Sequence, residues 1–168
     1  MAAYLAVSGS YMLAFNLTES LPGTVFVICK DTFPDSGEFV AFRWERNWPY
    51  PKGSIFVKRL VGLPGSRVTT QGRDFYVDGR AVGQAKERAR TGEPLIPGPV
   101  GVIPEGSYYV AGGHPDSLDS RYQLTGWVKR NPGYRPCVSA DMSGLKMPLV
   151  FCGCAVNVSA RKFACCTC

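Results

Sequence analysis

The sequence predicts a mainly β domain of twisted antiparallel sheets behind an apolar N-terminal segment that resembles a membrane anchor. Three observations carry that expectation. The apolar runs are short and bounded by turn residues, in a chain holding 19 glycines and 13 prolines. No helical heptad and no repeat at a solenoid period runs through it. Asp78-Gly79 sits between two strand-like runs, as a type I′ hairpin turn requires.

The N-terminal stretch, residues 2–15, is uncharged. It is shorter than the roughly 20 residues that span a bilayer. It reads either as the outer part of a membrane anchor or as a buried helix or strand. Residues 16–24, N-L-T-E-S-L-P-G-T, break it with polar and turn residues. Ser20 lies just before Leu21-Pro22-Gly23, where the chain must bend and expose it. Strands are expected at residues 25–29, 38–44, 55–61, 67–70, 75–77, 80–82 and 107–111. Residues 84–100, polar and rich in Pro and Gly, are expected to be a mobile insertion.

Residues 55–65, I-F-V-K-R-L-V-G-L-P-G, form the most informative run. Alternation places Phe56, Lys58 and Leu60 on one face and Val57, Arg59 and Val61 on the other. Lys58 thus lies between two large apolar side chains. Either it sits on an edge strand and extends to water, or it is buried and held neutral as a base. Residues 112–122, G-G-H-P-D-S-L-D-S-R-Y, gather Asp116, Ser117, Asp119, Ser120, Arg121 and the sole histidine, His114. Asp119 and Arg121 can pair and order the loop.

At 168 residues the chain is one domain, or one domain plus a tail. The formal charge of +6 suits a membrane surface, a nucleic acid or an ordinary solvated surface, and does not choose among them. Cys152, Cys154, Cys165, Cys166 and Cys168 crowd the end, but their spacing lacks the C-x2-C pairs and histidine of a standard zinc site. No metal or cofactor is expected. The organisation expected is an apolar segment over residues 1–15, a β-domain over 16–130 and a divergent Cys-rich tail over 131–168. The tail reads as a divergent extension or the product of a shifted frame.

A serine nucleophile needs a base. His114 with Asp116 or Asp119 is one choice, although no G-x-S-x-G elbow surrounds Ser20. Lys58 is the other, oriented by the hydroxyl of Ser117 or Ser120. Three blocks in this order resemble the type I signal peptidase family, and more closely the TraF-type peptidases of conjugative transfer. They are Thr18-x-Ser20-x-Pro22, the run Lys58-Arg59-Leu60-Val61-Gly62-Leu63-Pro64-Gly65, and Ser117-Leu118-Asp119-Ser120-Arg121. The single residue between Ser20 and Pro22 favours the TraF branch. After Tyr122 the likeness fades.

The resemblance implies a membrane-associated serine endopeptidase with a Ser-Lys dyad. Ser20 would be the nucleophile and Lys58 the base, with the Ser20 N–H and the Thr18 hydroxyl as oxyanion donors. Ser117 would orient the lysine, and Asp119 and Arg121 would form a supporting pair. The substrate implied is an exported precursor, a pilin subunit above all, met at the periplasmic side of the bacterial inner membrane. Two other readings stand beside it. A soluble self-cleaving repressor-type Ser-Lys protease needs a DNA-binding domain, for which residues 1–19 leave no room. A basic β-domain binding nucleic acid needs interleaved aromatic and basic residues, as in Arg43-Trp44-Glu45-Arg46-Asn47-Trp48.

Overall fold

In the computed structural model, residues 33–130 are described throughout; outside them, only the backbones of short strands are. Those strands are β1 (Ala2–Ala6), β2 (Tyr11–Asn16), β3 (Val25–Cys29), β12 (Cys137–Val138), β13 (Val150–Phe151) and β14 (Cys154–Ala155). Between them lie β4 (Phe39–Arg43), β5 (Ile55–Gly62), β6 (Arg67–Gln71), β7 (Asp74–Val77), β8 (Arg80–Gln84), β9 (Gly101–Val102), β10 (Ser107–Ala111) and β11 (Val128–Lys129). The expected strands are present, with ends that move by a residue or two, and among the described residues every strand pair is antiparallel.

The apolar N-terminal stretch supplies β1 and β2, which pair with each other and lead on to β3. Among the described residues no helix is long and apolar enough to cross a membrane. Ser20 and Thr18 lie outside the described residues, as do most of residues 131–168.

Strand β5 is the centre of the main sheet, which runs β11-β10-β5-β1-β2-β3-β12 with β4 also paired to β5. The β4 register sets Val40 opposite Lys58 and Phe42 opposite Phe56; β10 sets Val110 opposite Leu60. Partners directly opposite share a face, so β5 presents Phe56, Lys58 and Leu60 to the same side as Val40, Phe42 and Val110. With Trp44 and Tyr108 these apolar side chains make one buried core. Arg59, on the opposite face, is exposed, its guanidinium bonded to the Gly37 carbonyl at 2.9 Å.

The second sheet, in the order β8-β7-β6-β9, closes a second core around Val68, Phe75, Val77, Ile103 and Tyr109. Its β7–β8 hairpin turns at Asp78 and Gly79, with φ of 48° and 77°. Both residues lie in the left-handed region that a type I′ turn demands and Asp-Gly tolerates. Asp78 Oδ1 also accepts the Arg67 N–H at 2.7 Å, tying the turn to β6.

Residues 84–100, expected to be mobile, are instead fastened to the body. The Arg73 guanidinium donates to the carbonyls of Ala85, Lys86 and Leu95 at 2.8, 2.6 and 2.9 Å. Ala85 is buried, and short bridges join Arg88 to Pro94 and Pro97 to Tyr122. One guanidinium has five donors in a fixed fork. It holds a Pro- and Gly-rich segment that has few strand bonds of its own.

The second core closes on Gly62 of β5. A Cβ there would lie 2.7 Å from Ile103 Cδ1, 3.0 Å from Val77 Cγ1 and 3.1 Å from Tyr109 Cβ. Overpacking of this kind costs about 1–3 kcal/mol. Gly62→Ala is therefore expected to lower the unfolding free energy by that amount, seen as a lower denaturant midpoint with the unfolding slope unchanged. A midpoint equal to wild type would show that the second core does not close on this glycine.

Candidate active site

Strand β5 carries Lys58 into the first core, where the side chain is 3% exposed. Its Nζ–H donates to Ser117 Oγ at 2.8 Å. Desolvation disfavours the ammonium and pushes the Lys58 pKa down from 10.5 to about 8; the Asp119 charge raises it and the Arg121 charge lowers it. The result is an amine that is neutral for part of the time near pH 7 and fixed in direction by one hydroxyl. That combination makes a proton acceptor.

The hydroxyl is placed by the loop after β10. Asp119 is fully buried, and both its oxygens are bonded to the 4%-exposed Arg121 side chain: Nε to Oδ1 at 2.9 Å and Nη2 to Oδ2 at 2.8 Å. Asp119 also accepts the N–H of Gly112 at 2.8 Å and of Arg121 at 3.1 Å. A buried carboxylate with this many donors is a rigid anchor. Ser120 Oγ accepts the Val110 N–H at 3.0 Å, and the Ser120 N–H returns to the Val110 carbonyl. Of the two hydroxyls considered for orienting the lysine, Ser117 is the one bonded to it and Ser120 ties the loop to β10.

His114 is committed elsewhere. Its Nδ1 accepts the Asp116 N–H at 3.1 Å, while the Asp116 carboxylate is bonded to Lys86. A triad requires the histidine Nδ1–H to face a carboxylate, and here that nitrogen acts as acceptor for a turn. The Asp119 carboxylate is taken up by Arg121.

Three glycines in the site have roles that residue type alone did not reveal. A Cβ on Gly112 would lie 1.9 Å from Ser117 Oγ, so only a glycine lets that hydroxyl occupy its position beside the amine. A Cβ on Gly98 would lie 2.2 Å from the Ser120 carbonyl, and one on Gly83 2.7 Å from Arg121 Nη1. Residues 84–100 thus pass directly against the loop. They also give Arg121 Nη1 the Gln84 carbonyl at 3.1 Å and bring the Lys86 N–H to the Tyr122 hydroxyl at 3.1 Å. The Gly112-Gly113 pair and Gly98 between two prolines were the available signals.

The alternation Arg43-Trp44-Glu45-Arg46-Asn47-Trp48 does not form a stacking surface. Trp44 is 3% exposed within the first core, and Trp48 alone of the two is exposed.

Within this antiparallel β-domain a desolvated lysine amine rests on a serine hydroxyl. The sequence profile of "Signal peptidase, peptidase S26" matches residues 3–132, more than half of the chain, and the chain belongs to that family. The match extends past Tyr122, where the likeness of short motifs fades. The chain is 40% identical over 82 residues to Signal peptidase I of Bacillus licheniformis, a match covering 44% of this chain and 44% of that relative. This chain therefore spans less than half the length of the curated relative it matches. Among solved structures it is similar to a signal peptidase I from Enterococcus faecalis, with 27% identity over 63% of this chain and 97% of that one, at a TM-score of 0.42.

The depressed pKa of Lys58 has a consequence for stability with a definite sign. The unfolded chain binds the Lys58 proton up to about pH 10.5, the folded chain only up to about pH 8. Below that window burial destabilises the fold by about 3 kcal/mol, and the cost disappears as pH rises from 8 to 10.5. Lys58→Met removes this cost and loses a hydrogen bond of about 1 kcal/mol. The variant is expected to melt above wild type at pH 7, the gap narrowing as pH approaches 10.5. A gap that is constant or widens with pH would contradict the assigned burial.

Proposed function

We propose that the protein is a serine endopeptidase of the Ser-Lys type that cleaves exported precursor proteins. The observation that carries this reading is the Lys58 amine, buried, lowered in pKa to about 8 and 2.8 Å from Ser117 Oγ. Membership of the signal peptidase family supports it. Neutral Lys58 takes the Ser20 hydroxyl proton as the oxygen attacks the scissile carbonyl. The Ser20 N–H and the Thr18 hydroxyl receive the oxyanion. The ammonium then protonates the leaving amine. Water, deprotonated by Lys58, or a second amine resolves the acyl-enzyme. Ser117 keeps the amine aimed, and Asp119 with Arg121 keeps Ser117 in place.

The substrate proposed is a pilin precursor of a conjugative system, cut after a small residue such as alanine. It is met by a membrane-attached enzyme on the periplasmic side of the bacterial inner membrane. The single residue between Ser20 and Pro22 supports the TraF-type branch within the family. The mechanism needs no metal and no cofactor. Nucleic-acid binding is less well supported, because burial of Trp44 removes half of the aromatic surface it needs.

The test is cleavage of a membrane-embedded precursor. Ser20→Ala and Lys58→Met are each expected to lower kcat by about a thousandfold or more with the fold retained. His114→Ala should keep most activity. Below pH 8 the neutral amine falls about tenfold per unit, so kcat/KM should rise with pH and level off above pH 8. Undiminished cleavage by Ser20→Ala, or a rate flat from pH 6 to 8, would overturn the reading.

A further inference from the structure

A concave trough begins one residue from Ser117. Its first part, about 320 Å³, lies between the Trp48-Pro49-Tyr50 segment and residues 86–95, with Asp116 and Leu118 at its inner wall. Its second part, about 340 Å³, continues past Trp48 and Leu124 to Arg46 and Ile96. Trp48 is 51% exposed and Ile96 62% exposed. Exposed large apolar side chains that line a concavity mark an interaction site more than scattered ones do.

The charge along the trough is unbalanced. Lys86 is paired with Asp116 across the inner end. Arg88 and Arg90 line the same wall, and neither forms an ion pair among the described residues. Arg88 donates to the Gly92 carbonyl at 3.0 Å, and the Asp116 carboxyl, held down first by its bond to Lys86, is held down further by the Arg90 charge without a close ion pair. Glu93, hydrogen-bonded to Thr91, stays charged, so this part is lined by three cations, Lys86, Arg88 and Arg90, and two carboxylates, Glu93 and Asp116. A guanidinium fork that faces an apolar wall favours a carboxylate on an apolar carrier.

We propose that this trough binds an extended, acidic and apolar segment of the precursor, outside the residues that undergo cleavage, and so selects the substrate. The proposal rests on the reading of the chain as a precursor peptidase. Apolar side chains of the segment pack on Trp48 and Ile96, and its carboxylates meet Arg88 and Arg90. The concave shape favours a peptide over a flat lipid surface. Residues 84–100, which support the Asp119–Arg121 loop from one side, carry specificity on the other.

The test uses the full chain bearing Lys58→Met, so that no cleavage interferes, and fluorescein-labelled peptides of alternating Leu and Glu or Leu and Gln. Anisotropy should show the Glu peptide binding about tenfold tighter, an advantage that added salt weakens. Arg88→Gln with Arg90→Gln should abolish the advantage, and Trp48→Ala should weaken both peptides. In the cleaving enzyme the double variant should raise KM for a precursor with an acidic segment and leave an acid-free precursor unchanged. Equal binding of the two peptides would overturn the proposal. So would binding indifferent to the double variant, or an Arg88- and Arg90-dependent affinity for anionic vesicles with none for peptide. Selective peptide binding by a protein that cleaves nothing would leave the trough standing and remove the peptidase reading instead.

Discussion

One constraint organises the molecule: an amine must be kept out of water and still be aimed. Burial alone would drive Lys58 toward a neutral group with no fixed direction. The hydrogen bond to Ser117 Oγ supplies the direction, leaving the nitrogen lone pair for another proton. The core of β4, β5 and β10 side chains supplies the dryness. Neither suffices alone, because an exposed lysine stays protonated at neutral pH and an unanchored one has no defined partner.

The anchoring is layered. Ser117 is fixed because its loop is fixed, and the loop is fixed because Asp119 and Arg121 satisfy each other away from solvent. Replacing one member of such a pair leaves an uncompensated buried charge, which costs about 3–5 kcal/mol. Residues 84–100 then close over the pair, with Gly83 and Gly98 lacking the side chains that would hold them off. The Asp119 charge opposes the desolvation of Lys58 and the Arg121 charge assists it, so the pair moderates the amine as well as supporting its partner. Structure and chemistry share one small network here, and a residue far from the amine in sequence still acts on it.

Much of this was legible in the chain. Alternation along residues 55–61 put Phe56, Lys58 and Leu60 on one face, and all three are buried against β4 and β10 side chains. Asp78-Gly79 gave its turn from residue type, since few residues tolerate φ above zero at both positions. The Asp119–Arg121 pair followed from two opposite charges two residues apart in a dense polar loop. Other features depended on tertiary contact and could not be read. Whether Lys58 was buried rested on what lay across β4. The choice between Ser117 and Ser120 depended on which hydroxyl the backbone of Val110 captured. The order in residues 84–100 came from Arg73, a remote side chain whose donors no local pattern reveals. Gly112, at the start of the polar loop, proved to be space for a hydroxyl.

The central claim concerns the ionisation of a single amine, and it can be read directly. Selective 13C labelling of lysine at the ε-carbon, followed by NMR across the pH range, reports each lysine's midpoint. Comparison with Lys58→Met assigns the Lys58 signal. That signal is expected to titrate with a midpoint near 8, well below the ordinary lysine value of 10.5. A Lys58 midpoint at or above 10.5 would mean that the amine is hydrated and charged, and the account given for the site would fail.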